Sequence, residues 1–341
     1  MKISVVVPTH RVSPGALARI MEVSALDAQS FEVVVRDNSG DRGKVSALHA
    51  LASESVKVHA VAPCGAFENA IEAFRLATGE FLFFLADDDW ISVRTLRRVH
   101  GLAAAALQDR SVASIHADTF IETSAGAGIV HYDGLDDVDP VKRLSGYLKA
   151  NAPNVFYYSC VRRTAAQLCF EILDSMPCKF SFHDQLVSLL YLALGRSLRA
   201  DGVAYFYDLG EWETLEKTVG KDRSMYQAAG VPVEIDRLHF LLGAMEGALL
   251  LKSRTMMQVT QRDPSSLINL WFGTMYQRFK HLSRPDDYPR SKLNSATEAL
   301  ARRWSERDDV NLDELLLDVT DLIDASNPDL ARRYFEFWST V

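Results

Sequence analysis

The N-terminal part of the chain alternates apolar runs with polar, turn-rich stretches. Ile3-Ser4-Val5-Val6-Val7 is apolar and β-branched up to Pro8, the pattern of a strand covered on both faces in a parallel sheet. After the Pro14-Gly15 turn, Arg19–Asp27 carries a helical period. Phe31–Arg36 (FEVVVR) predicts a second strand, stopped by the turn formers Asp37-Asn38-Ser39-Gly40. Lys44–Ser53 predicts a helix and Val56–Val61 a third strand. Phe67–Ala77 predicts a helix closed by Gly79, and Phe81–Ala86 a fourth strand that ends abruptly at Asp87-Asp88-Asp89. This rhythm predicts right-handed crossovers and an α/β fold, a mostly parallel Rossmann-like sheet flanked by helices. Ligands of such sheets sit at the carboxyl ends of the strands, and both polar clusters fall there.

Farther along, Ser111–Thr123 alternates like a strand, Gly126–Gly134 carries a short one, and Asn154–Val161 and Ala204–Tyr207 predict two more, with a helix over His183–Leu194 between them. From about Val231 the period is helical to the end: Ile235–Ser253, Ser265–Leu282, Ser291–Arg307, Asp313–Ala325 and Asp329–Trp338. The change of period predicts a first domain over 1–225 and an all-helical C-terminal domain over 226–341, with the boundary in the polar stretch Glu211–Asp222.

Composition narrows the class. The 341 residues are 48% hydrophobic and 24% charged, which excludes disordered and fibrous chains. A net charge of −8 argues against a nucleic-acid partner. No run approaches the roughly 20 apolar residues of a membrane span. Met1-Lys2 leads directly into the first strand, so the expected location is cytoplasmic. Cys64, Cys160, Cys169 and Cys178 lack CxxC spacing, which argues against a zinc site or a disulfide scaffold.

Three places carry candidate chemistry. Asp87-Asp88-Asp89 packs three carboxylates at a strand end, where they repel unless a cation neutralises them; Mg²⁺ or Mn²⁺ takes such oxygen ligands together with substrate phosphates. A solvated turn that caps the next helix has the same residues. Asp37-Asn38-Ser39 can accept from a base or a ribose, or be a plain turn. Asp184, after His183, opens an apolar helix and can serve as a general base, as an N-cap, or as both.

Taken together, Val5-Val6-Val7-Pro8-Thr9-His10, Val34-Val35-Arg36-Asp37-Asn38-Ser39 and the stretch from Thr78-Gly79-Glu80 to Asp87-Asp88-Asp89 resemble the inverting family 2 glycosyltransferases of the GT-A fold over roughly residues 1–100. Phe67-Glu68-Asn69-Ala70 resembles the helix before that family's metal motif. The resemblance implies that Pro8, Thr9 and His10 line a nucleotide pocket, with Asn69 in the donor-binding set. It implies that Asp37 binds the base, usually uracil-type. Asp87 and Asp89 would be the outer acids of a DXD motif: Asp89 binds a divalent metal (Mn²⁺ or Mg²⁺), with Asp87 as a second candidate ligand, and Asp87 or Asp88 holds the ribose or sugar. Asp184 would occupy the base position, where His183-Asp184 replaces the usual Glu-Asp. The implied donor is a nucleotide-diphosphate sugar, UDP ahead of dTDP and GDP. The implied acceptor is a hydroxyl on a glycan, free or lipid-linked, in bacterial surface polysaccharide or glycan assembly.

Some features stay open at this level. Asp208–Asp222 reads either as a lid with Trp212 as a stacking residue or as a linker. Trp271, Phe272, Met275, Tyr276 and Phe279 are spaced as buried core, yet the nearby Arg278, Lys280, Arg284, Arg290, Lys292, Arg302 and Arg303 would also suit peripheral contact with the inner face of an anionic membrane. The C-terminal helices equally suit a homo-oligomer interface or an acceptor wall. A sugar-phosphate nucleotidyltransferase should show a glycine-dense loop where Thr9–Gly15 stands, and a receiver domain should carry acids after the first strand. A degenerate glycan-binding module on this fold is the remaining alternative.

Overall fold

The computed structural model describes residues 1–123, 126–150, 155–177, 183–210, 214–228, 230–231, 233–260, 263–282 and 295–339. By compactness the chain divides into two units, Met1–Phe170 with Leu194–Gly210 and Glu171–Ala193 with Glu211–Val341. The segment Glu171–Ala193, which the sequence pattern places in the first domain, thus belongs to the second unit.

The first unit is built on one sheet, with β1 (Ile3–Thr9), β2 (Phe31–Asp37), β3 (Val56–Ala60), β4 (Phe81–Phe84), β5 (Trp90–Ile91), β6 (Val112–Thr123), β7 (Gly126–Val130), β8 (Cys160–Arg162) and β9 (Arg196–Asp208). Strand order is β3-β2-β1-β4-β8-β6-β9-β5, with β7 on β6. The strands β1 to β4 pair in parallel, while β8 joins β4 and β6 antiparallel, and β6 and β9 run parallel again. Val5, Val6 and Val7 are all fully buried, so both faces of β1 are covered and the uninterrupted apolar run has its reason. The crossovers α1 (Pro14–Ser24), α2 (Arg42–Leu51) and α3 (Ala66–Leu76) connect these strands, followed by α4 (Val93–Ala105), α5 (Pro140–Lys149) and α6 (Arg163–Asp174). The α/β class and the parallel N-terminal half follow the sequence pattern.

Local chemistry sets the element ends. Ser13 caps α1, its hydroxyl accepting from Ala16 N–H at 3.2 Å with Pro14 in the first turn, so the helix starts ahead of its apolar stripe. Asp41 caps α2 through Lys44 N–H at 2.7 Å. The expected strand over Asn154–Val161 is instead a 3-10 turn at Phe156–Tyr158 followed by the short β8. Its aromatic run mimics a strand, but Ser159 Oγ closes the turn onto Phe156 O at 2.6 Å and Phe156 is buried. The expected Ala204–Tyr207 strand is the end of the much longer β9.

At the amino ends of the parallel strands, Glu32 ties four segments together. It accepts from Ser4 Oγ on β1, from Lys57 Nζ on β3 at 2.7 Å, and from Thr78 Oγ1 at 2.7 Å and Gly79 N–H at 3.1 Å before β4. A Cβ on Gly79 would stand 2.6 Å from Ser4 Oγ, so this junction requires glycine.

The second unit is helical among its described residues: α7 (His183–Leu194), α8 (Leu215–Ala228), α9 (His239–Lys252), α10 (Arg254–Thr260), α11 (Ser265–Leu282), α12 (Ser295–Ser305), α13 (Leu312–Asp324) and α14 (Pro328–Ser339). Every residue of α9 from Leu241 to Leu251 is buried. Trp271 of α11 donates its indole N–H to Gly243 O at 2.9 Å, and a Cβ on Gly247 would collide with the same ring at 2.0 Å. Trp271, Met275, Tyr276 and Phe279 are buried, as core spacing predicts. Of the basic residues near them, Lys280 is bonded to Arg307 O and Arg303 is paired with Glu314 and Asp318, while Arg284, Arg290 and Lys292 lie outside the described residues. No helix of the described residues is long and apolar enough to cross a membrane.

Candidate functional site

The register of β1 against β2 puts Thr9 beside Asp37, and Leu85 N–H bonds Val6 O at 2.9 Å as β4 leaves the sheet. The carboxyl ends of the three strands therefore hold Thr9-His10 and the two polar clusters Asp37–Ser39 and Asp87–Asp89. Side chains join them into one chain of contacts. Lys44, near the start of α2, pairs with Asp37 at 2.6 Å and donates to Thr9 Oγ1 at 2.7 Å. Thr9 Oγ1 in turn donates to Asp87 Oδ2 at 2.6 Å. The backbone N–H groups of His10 and Arg11 donate to the same oxygen at 3.2 Å. Arg11 then spans two acids, one guanidinium nitrogen on Asp87 at 2.7 Å and the other on Asp88 at 2.8 Å.

The acids are not equivalent. Burial pushes the Asp87 carboxyl up, but hydrogen bonds from Thr9 and Arg11 outweigh it and hold the group below its usual range. Asp89 is 1% exposed, and burial together with the neighbouring Asp88 charge pushes it up to about 7. Tyr205 Oη donates to it at 2.8 Å and Asp208 N–H at 3.2 Å, which only partly offsets that rise. The Tyr205 hydroxyl also accepts from Ala86 N–H at 3.2 Å, so β9 holds both ends of the acidic turn.

The other expected residues are distributed as follows. Pro8 is half-buried at the end of β1 and His10 is exposed. Asn69 is buried on α3 and bonds Arg36 O at 3.2 Å and Asn38 Oδ1 at 3.1 Å, while Arg36 donates to its carbonyl. It thus fixes the β2 end against α3. Asp184 stands in the first turn of α7, in the second unit, half-buried, with its carboxylate accepting from Gln185 N–H at 2.8 Å. Trp212 lies outside the described residues, and much of the expected lid or linker is the helix α8.

Three participants escaped the sequence reading: Arg11, Lys44 and Tyr205. Arg11 directly follows Pro8-Thr9-His10, and that adjacency was an available signal. Lys44 reads as an ordinary helix lysine, and Tyr205 as one aromatic among several in a strand.

Among the described residues, no three His, Cys, Asp or Glu side chains converge as a ready-made metal site. A cation would nevertheless fit here. Asp89 is a buried carboxylate with two neutral donors and a like charge beside it, and a hard divalent ion accepts one or two carboxylates with the balance from substrate phosphates and water. Asp87 is engaged by Arg11 and Thr9 and Asp88 by the other arm of Arg11, which leaves Asp89 as the acid best suited to such an ion.

Residues 4–119 match the model of the family described as Glycosyl transferase family 2. A comparison with curated proteins finds no match. Among solved structures, TarS of S. aureus is similar at 18% identity, covering 98% of this chain and 55% of that chain, with a TM-score of 0.49. The chain thus spans about half the length of that protein. S. aureus TarS 1–349 in complex with UDP-GlcNAc is similar at 17% identity, over 94% of this chain and 91% of that chain, with a TM-score of 0.43. The mannosyltransferase PcManGT from Pyrobaculum calidifontis, in complex with GDP-Man and Mn²⁺, is similar at 15% identity, over 99% and 84%, with a TM-score of 0.44. The strands and acids of the candidate site up to Asp89 fall inside the family match, which covers the same stretch as the resemblance seen in the sequence, and the sheet there is α/β and mostly parallel.

Proposed function

We propose that the protein is an inverting, metal-dependent glycosyltransferase that moves a sugar from a nucleoside-diphosphate donor, a UDP-sugar first among them, to a hydroxyl of a glycan or lipid-linked glycan acceptor. One observation carries this reading: the contact chain Asp37–Lys44–Thr9–Asp87–Arg11–Asp88, ending beside the buried high-pKa Asp89, lies at the strand ends of a family 2 region.

Each residue has a role in that reaction. Pro8, Thr9 and His10 line the nucleotide pocket, and Asp37, oriented by Lys44 and Ser39 (2.9 Å), faces the base. Asn69 keeps the end of β2 in place. Asp87 anchors Arg11, whose guanidinium would pair with the donor's phosphates. Asp89 would hold Mn²⁺ or Mg²⁺ together with the donor's phosphates, with Asp87 as a second candidate ligand, and the ion would supply electrostatic stabilisation to the charge that develops on the leaving diphosphate. Asp184 takes the proton from the acceptor hydroxyl. The acceptor oxygen then bonds to the anomeric carbon from the face opposite the diphosphate, and the C–O electron pair leaves with the nucleotide. A single displacement of this kind inverts the anomeric centre and requires no covalent enzyme intermediate.

The test is thermal stability against UDP, GDP, dTDP and CMP, each with and without Mn²⁺. A ligand that binds only the folded state adds about 2.7 kcal/mol at a hundredfold excess over Kd. The expected result is a metal-dependent shift with one nucleoside diphosphate, lost in Asp89→Ala. Absence of a shift with every nucleotide overturns the reading in favour of a glycan-binding module on the same fold.

A further inference from the structure

A groove of about 380 Å³ opens on the first unit where β5 follows the acidic turn. Three of its walls are aromatic. Trp90 on β5 is the register partner of Phe206 on β9, and Phe206 is the register partner of Phe120 on β6. Neighbours across adjacent strands project to one face, so the three rings form a row, with the Phe120 and Phe206 centroids 5.8 Å apart. Trp90 is 42% exposed, although it follows a buried aspartate, and the Arg19 guanidinium lies 3.4 Å over its ring and fixes the indole. Two residues farther along, on the same face, Glu122 and Asp208 are partners as well, and Glu22 on α1 adds a third exposed carboxylate.

Flat rings beside carboxylates suit one ligand chemistry well. The C–H faces of a pyranose pack on aromatic rings while its hydroxyls donate to carboxylates, which accept only. The same carboxylates repel a phosphate or any other polyanion, so the groove is unsuited to the nucleotide itself. Its volume lies in the range of small-ligand clefts. It is tied to the donor acids through the backbone: Trp90 follows Asp89 in sequence, and Asp208 N–H bonds Asp89 Oδ1 at 3.2 Å.

We infer that this groove is a saccharide subsite that holds a neutral sugar of the acceptor, with Trp90 and Phe206 as the stacking platform and Glu122 as a hydroxyl acceptor. The assignment of that sugar as acceptor rests on the transferase reading above; the saccharide site itself does not.

Saturation-transfer NMR with cellobiose, maltose, mannobiose and chitobiose tests it on the full chain, with a trilysine peptide and a sulfated disaccharide as charged controls. At least one neutral disaccharide is expected to bind. Trp90→Ala should weaken it at least tenfold and Glu122→Gln about threefold, with both variants melting within a few degrees of the wild type and the sulfated sugar silent. Failure of all four disaccharides to bind overturns the proposal, as does unchanged binding in Trp90→Ala or a preference for trilysine over every sugar. Nucleotide shifts measured on the wild-type protein separate the two readings. Sugar binding without a nucleotide shift sinks the transferase and keeps the subsite, and a nucleotide shift without sugar binding does the reverse.

Discussion

Glu32 and Asp89 stand at opposite ends of the same parallel strands, 3% and 1% exposed, and titrate in opposite directions. Burial pushes both carboxyls up. At Glu32, Lys57, the Ser4 and Thr78 hydroxyls and a backbone N–H overcome it and hold the group at about 2. At Asp89 one phenol and one N–H face the added charge of Asp88, and the group rises to about 7. Burial alone therefore does not mark the working end of the sheet. What differs is how fully the chain satisfies the charge it has buried. The amino ends are closed by their own side chains, and the carboxyl ends leave a demand for positive charge that a substrate and its metal can meet.

The strongest way to break this contrast is Asp89→Asn. The amide keeps the shape and removes the charge. Transfer should fall by two to three orders of magnitude, the usual loss when one electrostatic stabiliser of a transition state is removed. Melting without metal should stay level or rise, because a poorly compensated buried acid has gone. A fall in melting temperature of more than a few degrees would show that Asp89 serves the fold as Glu32 does.

Glu246 sharpens the comparison from outside the sheet. It lies on α9, 1% exposed, with Tyr334 Oη donating to it at 2.7 Å, and burial pushes it from 4.5 up to about 8. An acid whose pKa is raised by folding binds more protons folded than unfolded. Stability should therefore fall as pH rises from 4.5 to 8, by about 1.4 kcal/mol per pH unit at most. Glu246→Gln should flatten that slope in urea titrations and leave nucleotide binding untouched. A loss of nucleotide binding in this variant would assign the second unit a part in the donor site.

Glu32→Gln acts with the opposite sign. Folding lowers this pKa from 4.5 to about 2, so its stabilisation is complete above pH 4.5 and disappears as pH falls through 2. With Lys57 36% exposed and screened by solvent, the loss at pH 7 should be about 2 kcal/mol, shrinking towards pH 2. Equal destabilisation of the variant at pH 7 and pH 2.5 would remove the charge from the account.

Much of this frame is legible in the sequence. Continuous apolar runs ending in polar clusters disclose parallel strands and the end at which a ligand sits, and the boundaries of β1, β2 and β3 follow to within two residues. What the sequence hides depends on contacts between distant positions. Arg11 and Asp87 are 76 residues apart, and Tyr205 and Asp89 are 116 apart. Nothing periodic in either neighbourhood encodes those pairings. The helices α4, α5 and α6 go unpredicted as well, although each carries its apolar residues at helical spacing. Trp90 escapes because an exposed aromatic beside three acids looks like the edge of a turn, until strand register lines it up with Phe206 and Phe120.

Matched hydroxyl deletions on β1 probe the two ends most finely. Ser4 links β1 to Glu32 at the amino end, and Thr9 links Lys44 to Asp87 at the carboxyl end. Ser4→Ala and Thr9→Val each remove one buried hydroxyl from a carboxylate that keeps other bonds, Lys57 on Glu32 in one case and Arg11 on Asp87 in the other. Each should cost about 1 kcal/mol of stability in denaturant titrations. Only Thr9→Val should also weaken nucleoside-diphosphate binding, by roughly fivefold or about 1 kcal/mol, because it loosens Asp87 and with it the Arg11 bridge to Asp88. Weakening of nucleotide binding by Ser4→Ala to the same degree would mean that the strands transmit disorder from end to end, and the division between a closed end and a working end would not stand.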